Sequence, residues 1–211
     1  MAGNERPGAQ QWVPPEGDVD ALRQAVPGCR GCELWADATQ VVFSTGPQDA
    51  RMVLVGEQPG DQEDRRGEPF VGPAGTVLAD ALDAAGVDPG RVYLTNAVKH
   101  FRFEERGARR IHKKPGVAHL EACGPWLAAE LGAVRPDVVV CLGATAARAV
   151  LDRPVRVGEV RGDRLATELT GVGRVTVLVT AHPSAVLRLR GRPGFEVAFA
   201  ELVADLRAAT G

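Results

Sequence analysis

A chain of 211 residues with 45% hydrophobic content, 5% aromatics and a formal net charge of −2 can bury one sizeable core, and its balance argues against a nucleic-acid binder whose whole surface is basic. No apolar run approaches the ~20 residues of a membrane helix, and the opening Met1-Ala-Gly-Asn-Glu-Arg-Pro-Gly lacks the hydrophobic stretch of a signal peptide, so a cytoplasmic protein without membrane association is expected. In that reducing setting the four cysteines read as free thiols or metal ligands rather than disulfides, above all the pair Cys29-Arg-Gly-Cys32.

In chain order, residues 1–17 are rich in Gly, Pro, Gln and Asn and read as a flexible leader that Trp12 and Val13 could anchor; residues 18–211 read as a single domain. Asp18 is placed to cap a short helix with Leu22 and Val26 on one face, ending near Pro27-Gly28. Arg51-Met-Val-Leu-Val-Gly56 predicts a strand followed by a Gly/Pro-rich loop, and Leu78, Leu82 and Ala85 fall at helical spacing before Gly86. Val92-Tyr-Leu-Thr95 is the next strand, with Tyr93 expected in the core, and a basic loop follows. A helix from about Val117 carries Leu120, Cys123, Leu127 and Leu131. Asp137-Val-Val-Val-Cys-Leu142 reads as a strand buried on both faces, and a helix begins after Gly143. Arg174-Val-Thr-Val-Leu-Val179 gives the last strand, and Phe195, Phe199, Leu202 and Leu206 mark a terminal amphipathic helix.

This alternation predicts an α/β three-layer sandwich with a central, mainly parallel four-stranded sheet flanked by helices. Such sheets carry their sites at the carboxyl ends of the strands. Those ends hold Glu57-Gln58 and Asp61, Asn96, Gly143-Ala-Thr145 and His182-Pro-Ser184, so polar groups far apart in sequence are expected to converge on one rim.

The loop after the first strand has glycines at 56 and 60 but no Gly-x-Gly-x-x-Gly, and no Gly-Lys-Ser/Thr occurs, which disfavours a nucleotide-cofactor enzyme. It offers a group of carboxylates (Glu57, Asp61, Glu63, Asp64) and then Phe70, either a stacking platform for a base or a plug in the core. Residues 99–114 hold Lys99, Arg102, Arg106, Arg109, Arg110, Lys113 and Lys114 against Glu104 and Glu105, and Arg188, Arg190 and Arg192 form a second group. Both read as phosphate-gripping patches or as solvated loops.

Gly-Glu-Gln-Pro-Gly-Asp, Pro-Phe-Val-Gly-Pro-Ala-Gly, Thr-Asn-Ala-Val-Lys-His and Ala-His-Pro-Ser-Ala-Val-Leu-Arg occur here in an order and spacing that resemble the iron-sulfur uracil-DNA glycosylases, from about Cys29 to the C-terminus. Gln58 and the insertion Arg109-Arg110-Ile111-His112 are similar to the UdgX subgroup, whose loop reads Lys-Arg-Arg-Ile-His; Ala108 stands in place of that lysine.

The resemblance implies a [4Fe-4S] cluster on Cys29, Cys32, His100 and Cys123, with His100 replacing a cysteine of ordinary members. A structural zinc on Cys29, Cys32, Cys123 and Cys141 is the competing assignment, and Cys141 otherwise reads as a small hydrophobe in mid-strand. It further implies that Asn96 reads uracil, that Phe70 stacks on the flipped base, and that Gln58 and Gly60 complete the uracil pocket. His182, which could alternatively only cap the Pro-Ser turn, would stabilise the leaving uracil anion. Glu57, with Asp61 nearby, would serve the chemistry, and His112 would attack C1′ and bond covalently to the DNA; the alternatives are a multiple-turnover glycosylase with the same pocket, or a non-catalytic iron-sulfur DNA-binding protein, with His112 only contacting phosphates. Arg109, Arg110, Lys113, Ser184 and Arg188 would hold phosphates. The implied partner is uracil-containing DNA, single-stranded by preference, met by a monomer.

Overall fold

The computed structural model describes residues 6–210. Its centre is a six-stranded sheet made of β1 (Ser44–Thr45), β2 (Met52–Gly56), β3 (Val92–Asn96), β6 (Val138–Leu142), β7 (Arg164–Leu169) and β8 (Gly173–Thr180), in the order β1-β3-β2-β6-β8-β7. The remaining strands, β4 (Phe103–Arg106) and β5 (Arg109–His112), pair with each other as a separate antiparallel hairpin. The expected four-stranded sheet is therefore corrected to six strands. The expected four form a parallel centre, and β1 and β7 add an antiparallel strand at each edge. β1 is only two residues long, and β7 alternates exposed with half-buried positions because one of its faces meets water.

The helices are α1 (Val19–Ala25), α2 (Asp61–Arg66), α3 (Pro73–Ala85), α4 (Val117–Val134), α5 (Ala144–Leu151), α6 (Val157–Val160), α7 (Pro183–Leu187) and α8 (Phe195–Ala208). Strand periodicity divides the core in two. Val53 and Val55 of β2 face one way, joining Val139, Cys141, Val177 and Val179 under Leu22 of α1 and Trp126 and Leu127 of α4. Met52 and Leu54 face the other way, joining Val140, Leu142 and Leu178 under Leu78 and Leu82 of α3 and Leu202 and Leu206 of α8. Strands covered on both faces have no polar side, which is why they read as uninterrupted apolar runs.

Asp18 caps α1 as expected, its carboxylate accepting from the Ala21 N–H at 2.9 Å. Of the segment read as a flexible leader, residues 1–5 lie outside the described residues, and the rest is docked at its middle. Ala9 is fully buried, its N–H donating to the Ala122 carbonyl at 2.8 Å, while the Gly8 N–H donates to Gly31 at 3.0 Å. Trp12 and Val13 pack against the core beside it.

Lys99 does not belong to a basic surface patch. It is buried with Glu130 of α4, to which its ammonium group is ion-paired, and it also donates to Thr95 Oγ1 at 2.7 Å and to the Asn96 carbonyl at 2.8 Å. Tyr93, a core residue as expected, donates from its hydroxyl to Glu130 at 3.0 Å. Every polar group in this network has a partner, the condition under which a buried charge pair is tolerated.

Candidate active site

The carboxyl ends of β2, β3, β6 and β8 open into a cavity of about 660 Å³. Glu57, Gln58, Gly60, Phe70, Asn96, His112, His182, Ser184 and Arg188 all line it, so nine of the residues given uracil, catalytic or phosphate roles above meet in one place. Glu63, Lys114 and Thr145 line it as well.

At the cavity floor, Asn96 closes β3 and is buried, yet among the described residues no protein group bonds its side-chain amide. Phe70 stands partly buried above the second core layer, between the two roles open to it in the sequence. Its φ of 58° is the left-handed conformation that an aromatic residue rarely adopts, strain of the kind that gathers at ligand sites. Gly75 makes that turn possible, because a Cβ there would stand 1.7 Å from the Phe70 carbonyl oxygen. Gly56 keeps the slot open: a Cβ on it would lie 2.2 Å from Asn96 Oδ1 and 2.7 Å from the Phe70 ring. Gly56→Ala should therefore weaken occupancy of the slot by about 1–3 kcal/mol, the usual cost of overfilling a packed site. The test is ligand titration; an unchanged affinity would show that the slot is not used.

His112 ends β5, a strand of the hairpin rather than the loop expected there. Its Nε2 lies 3.4 Å from Glu57 Oε1 while the Thr145 hydroxyl donates to Glu57 Oε2, so the carboxylate is held from one side and faces the imidazole on the other. Gln58 does not offer its amide to the cavity as expected. Its amide end is turned to the hairpin base, where Nε2 donates to the carbonyls of Arg102 (3.1 Å) and Lys113 (3.3 Å) and Oε1 accepts from the Arg102 N–H (3.2 Å).

Arg110 and Asp61 are corrected in the same way. The guanidinium donates to Asp61 Oδ1 and to Asp64 Oδ2, both at 2.6 Å, and lies over the rings of Phe101 and Phe103. It is thus committed to α2 rather than free for phosphate, and Asp61 serves as its anchor outside the cavity lining. Arg65 and Arg110 hold the Asp61 carboxyl below its usual range. Arg109 is exposed near the hairpin tip, and Lys113 lies half-exposed, 3.6 Å from Glu104, while its neighbour Lys114 reaches the cavity. Thr145 and Lys114 were visible only as rim and patch residues; nothing in their own sequence context marks them further.

His182 caps α7 and also lines the cavity, so the capping role does not take it away from the site. Its Nδ1 accepts from the Ser184 N–H at 3.1 Å, which leaves Nε2 to carry the ring proton in the neutral form. Burial, with the neighbouring His112 and Arg188, lowers its pKa to about 4. The ring is a neutral hydrogen-bond donor at ordinary pH.

On the other side of the Asn96–Lys99 turn, Cys29, Cys32, His100 and Cys123 line one small buried cavity with Lys99 and Trp126. Cys141 is absent from that lining and fully buried in mid-β6, so the zinc assignment loses its fourth ligand. Burial lowers the His100 pKa to about 4, keeping its imidazole neutral as a ligand must be, and pushes the Cys123 thiol up to about 12. The Cys29 and Cys123 sulfurs accept from the backbone N–H groups of Gly31 (3.4 Å) and Lys99 (3.3 Å). The Trp126 indole N–H is buried there without a partner among the described residues. No group of three or more His, Cys, Asp or Glu among the described residues is spaced to hold a single metal ion.

Residues 43–207 match the family model described as the uracil DNA glycosylase superfamily. The chain is 36% identical over 173 residues to a protein of Thermotoga maritima named Type-4 uracil-DNA glycosylase, covering 82% of this chain and 84% of that one. Proteins with the same name from Pyrobaculum aerophilum (34% over 181 residues; 82% and 88% covered) and Archaeoglobus fulgidus (35% over 173 residues; 80% and 83% covered) are similarly alike.

Proposed function

This chain belongs to the uracil-DNA glycosylase superfamily, and on that premise we propose that it is a UdgX-type glycosylase that excises uracil from DNA and then becomes covalently joined to the abasic site through His112. Uracil presents an acceptor at O4 and a donor at N3, which one side-chain amide can satisfy together; cytosine presents the reverse at both atoms. The unpartnered amide of Asn96 supports that reading, with Phe70 as the stacking surface. As the glycosidic bond breaks, its electron pair leaves with uracil, and the neutral Nε2–H of His182 donates to O2 where the negative charge gathers.

The sugar left behind is electrophilic at C1′. The observation that carries the proposal of capture is the 3.4 Å approach of His112 Nε2 to Glu57, inside the cavity that also holds Asn96 and His182. A ring nitrogen lends its lone pair to C1′, the new N–C bond forms, and Glu57 accepts the proton the alkylated ring gives up. An N-alkylated imidazole is a poor leaving group at neutral pH, so each molecule acts once. Arg109, Lys113, Ser184 and Arg188 would hold the phosphates of a strand that is single by preference. A second reading is capture of the sugar by water with ordinary turnover, which the same pocket could support; the relatives are named uracil-DNA glycosylases. One denaturing gel of protein incubated with a uracil-containing single strand separates them: a shifted band supports capture, and abasic DNA in excess over protein supports turnover.

We further infer a [4Fe-4S] cluster on Cys29, Cys32, His100 and Cys123. The donor chemistry fits, and cluster sulfide would give the orphaned Trp126 N–H an acceptor. When bound, such a cluster would supply redox-capable iron and tie together three chain segments; the glycosidic chemistry is carried by the side chains above. Purified protein should show a visible absorption band bleached by dithionite, retained in His100→Cys and Cys141→Ala and lost in Cys123→Ser. Loss in Cys141→Ala together with retention in His100→Ala would overturn the ligand set.

A further inference from the structure

Beside the main cavity lies a second hollow of about 210 Å³ that none of the chemistry above uses. Lys114, Ala144 and Thr145 line both spaces, so the two share a wall, and that wall includes the hydroxyl that holds Glu57. Its floor is apolar and built from two chain segments, Pro115, Val117 and Leu120 on one side and Pro154 and Val155 on the other. Val117, at the start of α4, is 41% exposed there. Among the described residues, the charged side chains of the hollow are Lys114 and Arg148, and no acidic residue lines it.

An apolar floor flanked by cations, with no carboxylate to repel an anion, is complementary to a nucleobase attached to its phosphate. At about 210 Å³ the hollow is below the ~300 Å³ at which drug-sized ligand pockets begin, a size suited to one base. Continuity with the uracil cavity identifies which base. A nucleotide whose uracil occupies the main cavity has its neighbour one sugar–phosphate unit away along the strand, and a hollow that shares a wall with that cavity is close enough to receive it. We propose that this hollow is a subsite for the nucleotide adjacent to uracil, its base on the Pro115–Val117–Pro154 floor and its phosphate between Lys114 and Arg148; the proposal rests on the glycosylase reading. In duplex DNA the neighbouring base stays paired and stacked and cannot enter, so the subsite itself produces a preference for single strands.

The test uses short single strands containing one uracil, with a tetrahydrofuran abasic unit as its 5′ neighbour, as its 3′ neighbour, or absent. Single-turnover excision is followed against DNA concentration. Removing the neighbouring base on one side should raise the half-saturating concentration at least about fivefold, the low end of a base-stacking contact, and leave the maximal rate unchanged. Arg148→Gln, and independently Val117→Glu at the exposed rim, should weaken half-saturation by the intact strand and abolish its sensitivity to the abasic neighbour. If the wild-type protein excises uracil from all three strands with the same half-saturation, or if both variants keep the sensitivity, the subsite is wrong and the glycosylase reading stands. If uracil is excised from none of them, the glycosylase reading itself falls.

Discussion

His112→Ala eliminates the covalent protein–DNA band and converts the protein into a recycling glycosylase. The groups assigned to bond cleavage, Asn96, Phe70 and His182, belong to β3, the loop between α2 and α3 and the cap of α7, whereas His112 belongs to the hairpin. Removing the imidazole therefore leaves the uracil slot intact and opens space beside Glu57 where water can stand. Free abasic DNA should accumulate beyond one equivalent of protein, and the shifted band should fall below detection. Glu57→Gln keeps the shape but removes the proton acceptor, and should slow capture by about 10²–10⁴, the usual range for general-base catalysis. A shifted band of undiminished intensity in His112→Ala would falsify covalent capture through that ring.

His182→Ala lowers the rate of uracil release by about 10²–10³, the usual cost of deleting one donor to a developing anion. Single-turnover kinetics measure it, and a loss under threefold would remove His182 from the chemistry. The pH behaviour gives a second check. With its pKa lowered to about 4, the folded ring stays neutral across the weakly acidic range and its donor remains in place. An exposed histidine in the unfolded chain titrates near 6.5, so between roughly pH 6.5 and 4 the unfolded state binds the extra proton. The contribution of His182 is complete above pH 6.5 and is lost as pH falls through that window, by up to about 1.4 kcal/mol per unit. Burial also lowers the His119 pKa, which adds in the same direction. Melting temperatures at pH 7.5 and pH 5 should therefore differ less in His182→Ala than in the wild-type protein.

The parallel centre of the sheet was legible because Met52–Gly56 and Val138–Leu142 are covered on both faces and carry no polar alternation. The rim of the site followed from the same strands, since whatever stands at their carboxyl ends must converge. The hairpin was not legible. Phe103-Glu-Glu-Arg and Arg109-Arg-Ile-His are dense in charge because two strands standing apart from the main sheet have little apolar surface to bury, so they resemble a solvated loop. Partners were equally hidden. Gln58 and Arg110 carry donors that would suit uracil or phosphate, and only the folded chain shows that Arg102, Lys113, Asp61 and Asp64 already occupy them. Lys99 looked like one cation among several, and Glu130, its buried partner, is thirty-one positions away.

The docking of Gly8 and Ala9 has a practical side. Their hydrogen bonds end on Gly31 and Ala122, two residues that line the cysteine cavity, and a side chain at Gly31 would press within 2.9 Å of the Ala9 nitrogen. The N-terminal segment thus straps together two walls of that cavity. An affinity tag cleaved at residue 10, or a trimmed expression clone chosen because the start of the chain looks dispensable, would remove the two hydrogen bonds that tie Gly31 and Ala122 of the cysteine cavity to one segment. Tagging at the C-terminus, beyond α8, leaves the strap alone.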